Sequence, residues 1–294
     1  MFSLSYKIQK KIIVVSFLLI PLVLLIVFSY YPAAKLFQYS ITDWNGVSKT
    51  LNYTGLSNYT EILKNKDYRL VASNNLVYFL SAFIQILLGL FLAVVLNSKI
   101  RGTNFFRSVI FMPYIMNSAA IAYMFNFIYN YEQSPINQFF RWTGLGDYAI
   151  RFIGNSYWTN LSLAFIGVWT YTGFFMVLYL GALQSVPTAF YEAAEIDGAG
   201  FFQKLFYITI PNIGTVIELT VFLGINGSVQ TFLQPLLVTQ GGPGIRTETI
   251  VSYTLKVAFK YNNYGMASAL GVAVMIIVVI LLGIQQLVIK NREE

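Results

Sequence analysis

Three carboxylates, Glu192, Glu195 and Asp197, crowd into one short segment and face a single basic side chain, Lys204. The segment reads Glu192-Ala-Ala-Glu-Ile-Asp-Gly198-Ala-Gly-Phe-Phe-Gln-Lys204-Leu-Phe-Tyr-Ile208-Thr-Ile-Pro211 and lies between two long apolar stretches. It must therefore sit at a membrane face. Short cytoplasmic loops normally carry Lys and Arg. An acidic one built from small residues offers a docking surface to something basic. Pro187 suits the first turn of a helix, where its missing N–H costs nothing. Ala193 and Ala194 favour helix and let another protein come close to the backbone. Gly198 can end that helix in a left-handed conformation. The pattern predicts a short helix, a glycine break and a second short helix along the membrane face.

Other residues could bind rather than dock. Asn226, Gly227, Ser228, Gln230 and Thr231 make a polar run inside an apolar stretch, loosened by Gly224 and Gly227. Polar side chains in lipid must face protein or a water-filled cavity. In another apolar stretch Trp169, Thr170, Tyr171, Gly173 and Phe174 mix aromatic rings with hydroxyls. Sugars want that combination, with rings for their C–H faces and amides or hydroxyls for their OH groups. Ordinary interhelical packing uses the same residue types. Asn74, Asn75, Gln85, Asn117 and Asn126 read as helix–helix contacts of that kind. Glu218 is the only acid deep within an expected span, where an ionisable group marks a pathway or an interhelical contact.

Several chemistries are excluded. The chain has no cysteine and no histidine, which removes disulfides, thiol catalysis, most metal centres and the commonest general base. The nearest imitation of a phosphate-binding loop, Gly198-Ala-Gly-Phe-Phe-Gln203-Lys204, has Gln where Gly is required and Leu205 where Ser or Thr should follow. No catalytic residue, metal site or bound cofactor is expected. The chain itself is not expected to hydrolyse a nucleotide.

The elements that position these residues follow from composition. Of 294 residues, 56% are hydrophobic and 11% charged, against roughly a quarter charged in soluble domains. Mean hydropathy is +0.62. Lipid must be the solvent, and the net charge of +7 reflects anionic lipid and topology rather than nucleic acid. A span needs about 20 apolar residues. Six such stretches are expected: 12–31, 70–97, 105–129, 158–183, 207–232 and 266–289. The first is longer than a signal-peptide core and is expected to be retained. Residues 1–69 form an N-terminal tail, first span and external segment. Residues 70–290 form the core, with the acidic loop at 187–211. Lys7, Lys10, Lys11, Lys99, Arg101, Arg107, Lys290 and Arg292 fall densely on one side. That side should be cytoplasmic, with both termini and the acidic loop.

The acidic loop resembles the EAA loop of membrane subunits in binding-protein-dependent ABC importers. The family pattern is E-A-A, three residues, G, nine residues, I-x-L-P. Glu192, Ala193, Ala194, Gly198, Ile208 and Pro211 fall on it, and only Ile210 departs, replacing Leu. Ile41-Thr42-Asp43-Trp44, Gly55-Leu56-x-Asn58-Tyr59, and Thr239-Gln-Gly241-Gly242-Pro243 followed by Thr247-Glu-Thr249 are similar to the sugar-importer branch, related to maltose and glycerol-phosphate permeases. The resemblance implies an all-α, six-helix type I ABC importer permease in a bacterial cell membrane, with a cytoplasmic coupling helix between spans four and five. It implies a second permease subunit, two cytoplasmic ATPases, an external solute-binding protein and a carbohydrate substrate. It assigns ATPase coupling to Glu192, Ala193, Ala194, Asp197 and Gly198. Carried over by position, it places the sugar path at Thr170, Tyr171, Phe174, Gly224, Ser228 and Thr231.

Two rivals differ in class. An ion-coupled secondary transporter would want intramembrane acids or an inverted repeat, and the chain has one such acid and no visible repeat. A membrane enzyme would want clustered catalytic groups at one interface, and none stands outside the acidic loop.

Overall fold

The computed structural model describes residues 5–98, 101–154 and 156–293. Lys99 lies outside them, and the side chains of Lys290 and Arg292 are not described. The described residues are helical, with one isolated bridge between Thr42 and Tyr53. In chain order the helices are α1 (Tyr6–Ser40), α2 (Ser57–Lys64), α3 (Lys66–Leu96), α4 (Thr103–Ile115), α5 (Ser118–Ile128), α6 (Pro135–Trp142), α7 (Ser156–Ser185), α8 (Thr188–Ile196), α9 (Phe201–Asn212), α10 (Gly214–Val229), α11 (Ile250–Phe259) and α12 (Tyr264–Glu293).

Four helices, α1, α3, α7 and α12, are long and apolar enough to cross a membrane. The third and fifth expected spans are not straight helices. α4 and α5 meet at 96°, and α9 and α10 at 76°, so six spans result only if each bent pair counts as one. The causes are local. Met116 turns extended just after Pro113, and the Asn117 side chain accepts from the amides of Ala119 and Ala120. That N-cap starts a new helix in the middle of an apolar run. Asn117 is thus a cap, not the helix–helix contact expected from its type. In the second pair Pro211 and the non-helical Ile213 (φ −103°, ψ 14°) break the ladder before Gly214.

The chain divides into two compact units, Met1–Lys64 with Thr254–Ala273, and Asn65–Tyr253 with Val274–Glu294. In the first, the sequence motifs that marked the family branch prove to be staples. Asn58 donates to the carbonyls of Ser40 and Thr42, and Tyr59 donates to Ser40. Trp44 stacks on Tyr39 at 4.4 Å and accepts from the Gly265 amide through its carbonyl. Gly265 has to be glycine, because a Cβ there would sit 2.0 Å from the Thr42 carbonyl oxygen.

In the second unit α3 and α7 pack closely along their length. Gly89 lets them touch, since a Cβ on it would meet Phe175 Cβ at 2.7 Å and the Met176 amide at 3.0 Å. Leu163, Ile166, Met176 and Tyr179 on α7 are fully buried. Asn74, Asn75 and Asn126, expected to make helix–helix contacts, instead bond the backbone of the segments that follow α10. Asn74 donates to the Glu248 carbonyl, Asn75 accepts from the Ile250 amide, and Asn126 donates to the Val238 carbonyl. Each satisfies a backbone group that lipid could not.

Candidate functional site

The acidic loop folds as its residues dictate. α8 starts after Pro187, its N-cap, and ends at Ile196. Gly198 takes φ +74°. Its amide donates to Glu195 and the Ala199 amide to Ala194, the double bond of a Schellman cap. α9 then opens at Gly200, whose amide donates to Gln203 Oε1. Lys204 Nζ reaches Glu195 Oε1 at 2.8 Å. That hydrogen bond and the ammonium charge hold the Glu195 carboxyl below the usual carboxylate range. A lowered folded value means the pair contributes above the ordinary carboxylate range and fades only as pH falls through the lowered one. The pair is exposed, so its contribution is small. Tyr191 donates to Thr209 Oγ1 at 3.1 Å, tying α8 back to α9.

What remains outward is informative. Glu192, Ala193, Asp197 and Gly198 are exposed, and Ala194 is half-buried. Ile196 is 88% exposed, and Phe201, Phe202, Phe206 and Tyr207 flank it on α9. Of the three carboxylates expected to face Lys204, only Glu195 pairs with it.

A cavity of about 380 Å³ lies among α3, α7, α10 and the α4–α5 elbow. Its aromatic wall is continuous. Tyr114 stacks on Phe174 at 4.5 Å and meets Tyr171 edge-on at 5.9 Å. Polar groups join the lining, with Tyr78, Ser81 and Gln85 from α3 and Gln230, Thr231 and Gln234 beyond the end of α10. The Tyr78 hydroxyl is buried and has no hydrogen-bond partner. Such a group costs stability unless something satisfies it.

Five of the six residues placed on the path by position, Tyr171, Phe174, Gly224, Ser228 and Thr231, line this cavity. Thr170 does not. It is buried on another face of α7, its hydroxyl on the Ile166 carbonyl. Ser228 and Thr231 also bond their own helix, to Ile225 and Gly227, which leaves their acceptor lone pairs for a ligand. Gln85, expected to be a helix–helix contact, also lines the cavity. The signal was present: Tyr78, Ser81 and Gln85 share one helical stripe. Tyr114 and Ser118 could not be found that way, because only the elbow brings them in.

Glu218 stands half-buried near the start of α10, where its carbonyl accepts from Gln285. It does not line the cavity. The most buried acid among the described residues is Glu248, 3% exposed, which accepts from Ser252. It belongs to the turn where Thr239, Gly241, Gly242 and Thr247 bond one another. No group of His, Cys, Asp or Glu residues suited to a metal ion occurs among the described residues.

Residues 85–293 match the family described as the inner membrane component of binding-protein-dependent transport systems. The chain is 33% identical to the probable ABC transporter permease protein YurN of Bacillus subtilis, over 97% of this chain and 99% of that one. It is 28% identical to the multiple sugar-binding transport system permease protein MsmF of Streptococcus mutans, over 90% of each. Its fold matches a chain of a bacterial ABC transporter involved in the import of the acidic polysaccharide alginate, with a TM-score of 0.85, 18% identity and 97% coverage of both chains. With a family match over most of its length, and a full-length relative a third identical, the chain belongs to the inner-membrane permease family of binding-protein-dependent transport systems.

Proposed function

We propose that the chain is one permease subunit of an ATP-driven importer that moves a carbohydrate into a bacterial cell by alternating access. The cavity carries this reading. Its lining combines aromatic rings with amides and hydroxyls, within the size range of small-molecule sites. The sugar-named relative supports it.

The partners are those of the family. A second permease subunit pairs with this one, an external solute-binding protein delivers the sugar, and two cytoplasmic ATPases bind ATP and magnesium. Glu192, Ala193, Ala194, Asp197 and Gly198 meet the ATPase. Support comes from their exposure beside apolar Ile196 and the α9 aromatics, because docking hides such patches. Both termini and the loop are cytoplasmic, on the density of Lys7, Lys10, Lys11, Arg101 and Arg107. Closure of the ATPases pulls the loop and shifts the helices between two states a few kcal/mol apart.

The test is uptake of labelled oligosaccharide in cells lacking this chain and in cells where it is restored. Uptake should require the chain and the ATPase together. Uptake that survives loss of the ATPase and collapses with the ion gradient would identify an ion-coupled carrier instead.

A further inference from the structure

On the reading that the chain carries carbohydrate, we infer that its cavity takes uncharged sugars and excludes uronates and sugar phosphates. Among the described residues, no Lys, Arg, Asp or Glu lines it. Its free polar groups are neutral. Tyr78 borders the cavity at 4% exposure, with its neutral hydroxyl buried and unpartnered. Gln85 lines the cavity from α3, and Ser118 opens α5 at the elbow. Ser118 offers an O–H, and the glutamine donates and accepts. These suit a sugar hydroxyl, which itself donates and accepts. They cannot neutralise a carboxylate or a phosphate.

Desolvation makes the difference decisive. An anion that leaves water without a cation loses more than a hydroxyl that finds a partner. Tyr114, Tyr171 and Phe174 add rings to the lining and bring no cation that an anion could pair with. The fold does not set this preference, because a structural neighbour with the same fold is described as importing an acidic polysaccharide. The lining residues of this chain set it.

The absence of native cysteine permits a direct test without the binding protein, whose own selectivity would mask the permease. Ser118→Cys puts a single thiol in this chain at the cavity, and Gln230→Cys puts one on a different wall. Both positions are exposed, so folding should tolerate them. The assembled transporter in membranes is treated with a neutral maleimide in maltotriose, xylotriose or trigalacturonate at equal concentrations. The cysteine-free chain supplies the blank. A neutral trisaccharide should slow labelling at both positions, with half-protection at a concentration at least tenfold below that of trigalacturonate, about 1.4 kcal/mol. Equal protection, or better protection by trigalacturonate, overturns the inference and leaves the sugar reading standing. Protection by none of the three at either thiol overturns the sugar site itself, and the inference with it.

Discussion

Gly173 is the position where one methyl group should do most damage. It lies on α7 against α4. A Cβ there would sit 2.1 Å from the Ile110 carbonyl oxygen, 2.8 Å from its carbon and 2.9 Å from Phe111 Cα. All three are backbone atoms, so no rotamer change relieves the clash and α4 must back away. Overpacking costs about 1–3 kcal/mol, and an immovable neighbour puts Gly173→Ala near the upper end. Alanine regains about 1 kcal/mol of helix propensity, leaving a net loss of ~2 kcal/mol. Gly181, on the same helix, has nothing within 4 Å of its added Cβ. Gly181→Ala therefore feels the propensity term alone and should be neutral or stabilising. Thermal unfolding of the detergent-solubilised transporter, followed by fluorescence-detected size exclusion, should place Gly173→Ala about 5 °C below the parent. Equal midpoints for the two variants would refute the contact between α4 and α7. Uptake should fall as well, because α4 carries Tyr114 into the cavity wall.

Glu192→Lys should leave membrane insertion intact but uncouple ATP hydrolysis from uptake, since like charges across an interface can cost several kcal/mol; normal uptake with an associated ATPase would remove Glu192 from the docking surface. Tyr179→Phe loses the buried hydrogen bond to Thr220 and should cost about 1 kcal/mol, whereas Tyr78→Phe removes an unsatisfied hydroxyl and should cost nothing in stability while weakening uptake. Identical thermal shifts for the two would contradict that difference. Tyr171→Ala should reduce uptake more than Ser228→Ala, whose hydroxyl already bonds Ile225; an effect at Tyr171 no larger than at lipid-facing Val279 would show that the ring serves packing. Reporter fusions after Gly144 and Gly242 should read outside and those after Gly102 and Gly200 inside, and the reverse pattern would overturn the orientation.

The helices and the acidic loop were legible because their signals are local. Apolar length gives the spans, and proline, alanine and glycine at 187–198 give the helix and its stop. The bends were harder. Pro113 and Pro211 were visible, but proline is tolerated in α1 at Pro21 without a break. Only the added Asn117 cap and the Ile213–Gly214 step make elbows. The cavity was half legible. Tyr171, Phe174, Gly224, Ser228 and Thr231, which the family resemblance assigns to the sugar path, line it. Gln85 does both things an amide inside an apolar helix can do, packing its Nε2 against Gly167 of α7 and lining the cavity. Thr170, also assigned to the path, does not line it. Residues 170 and 171 differ by 100° on a helix, so adjacency in sequence does not mean a shared face.

Geometry also bears on how a pull at the loop could reach the sugar. A soft loop would absorb the motion. This one is braced at both turns, by the Schellman cap at Gly198, the Gln203 bond to Gly200, the Glu195–Lys204 pair and the Tyr191–Thr209 bond. Displacement of its exposed face must then pass into the helices that carry it, α7 and α10. Those two are joined in turn where Tyr179 donates to Thr220, in a buried spot between loop and cavity. α7 contributes Tyr171 and Phe174 to the cavity, and α10 contributes Gly224 and Ser228. The proposed coupling thus needs no chain of side-chain rearrangements across the membrane. Under that proposal, two helices pinned together near the driven end would move their opposite ends against the α4–α5 elbow, which carries Tyr114. A bend at Asn117 gives that part of the lining a joint which a straight third span would lack.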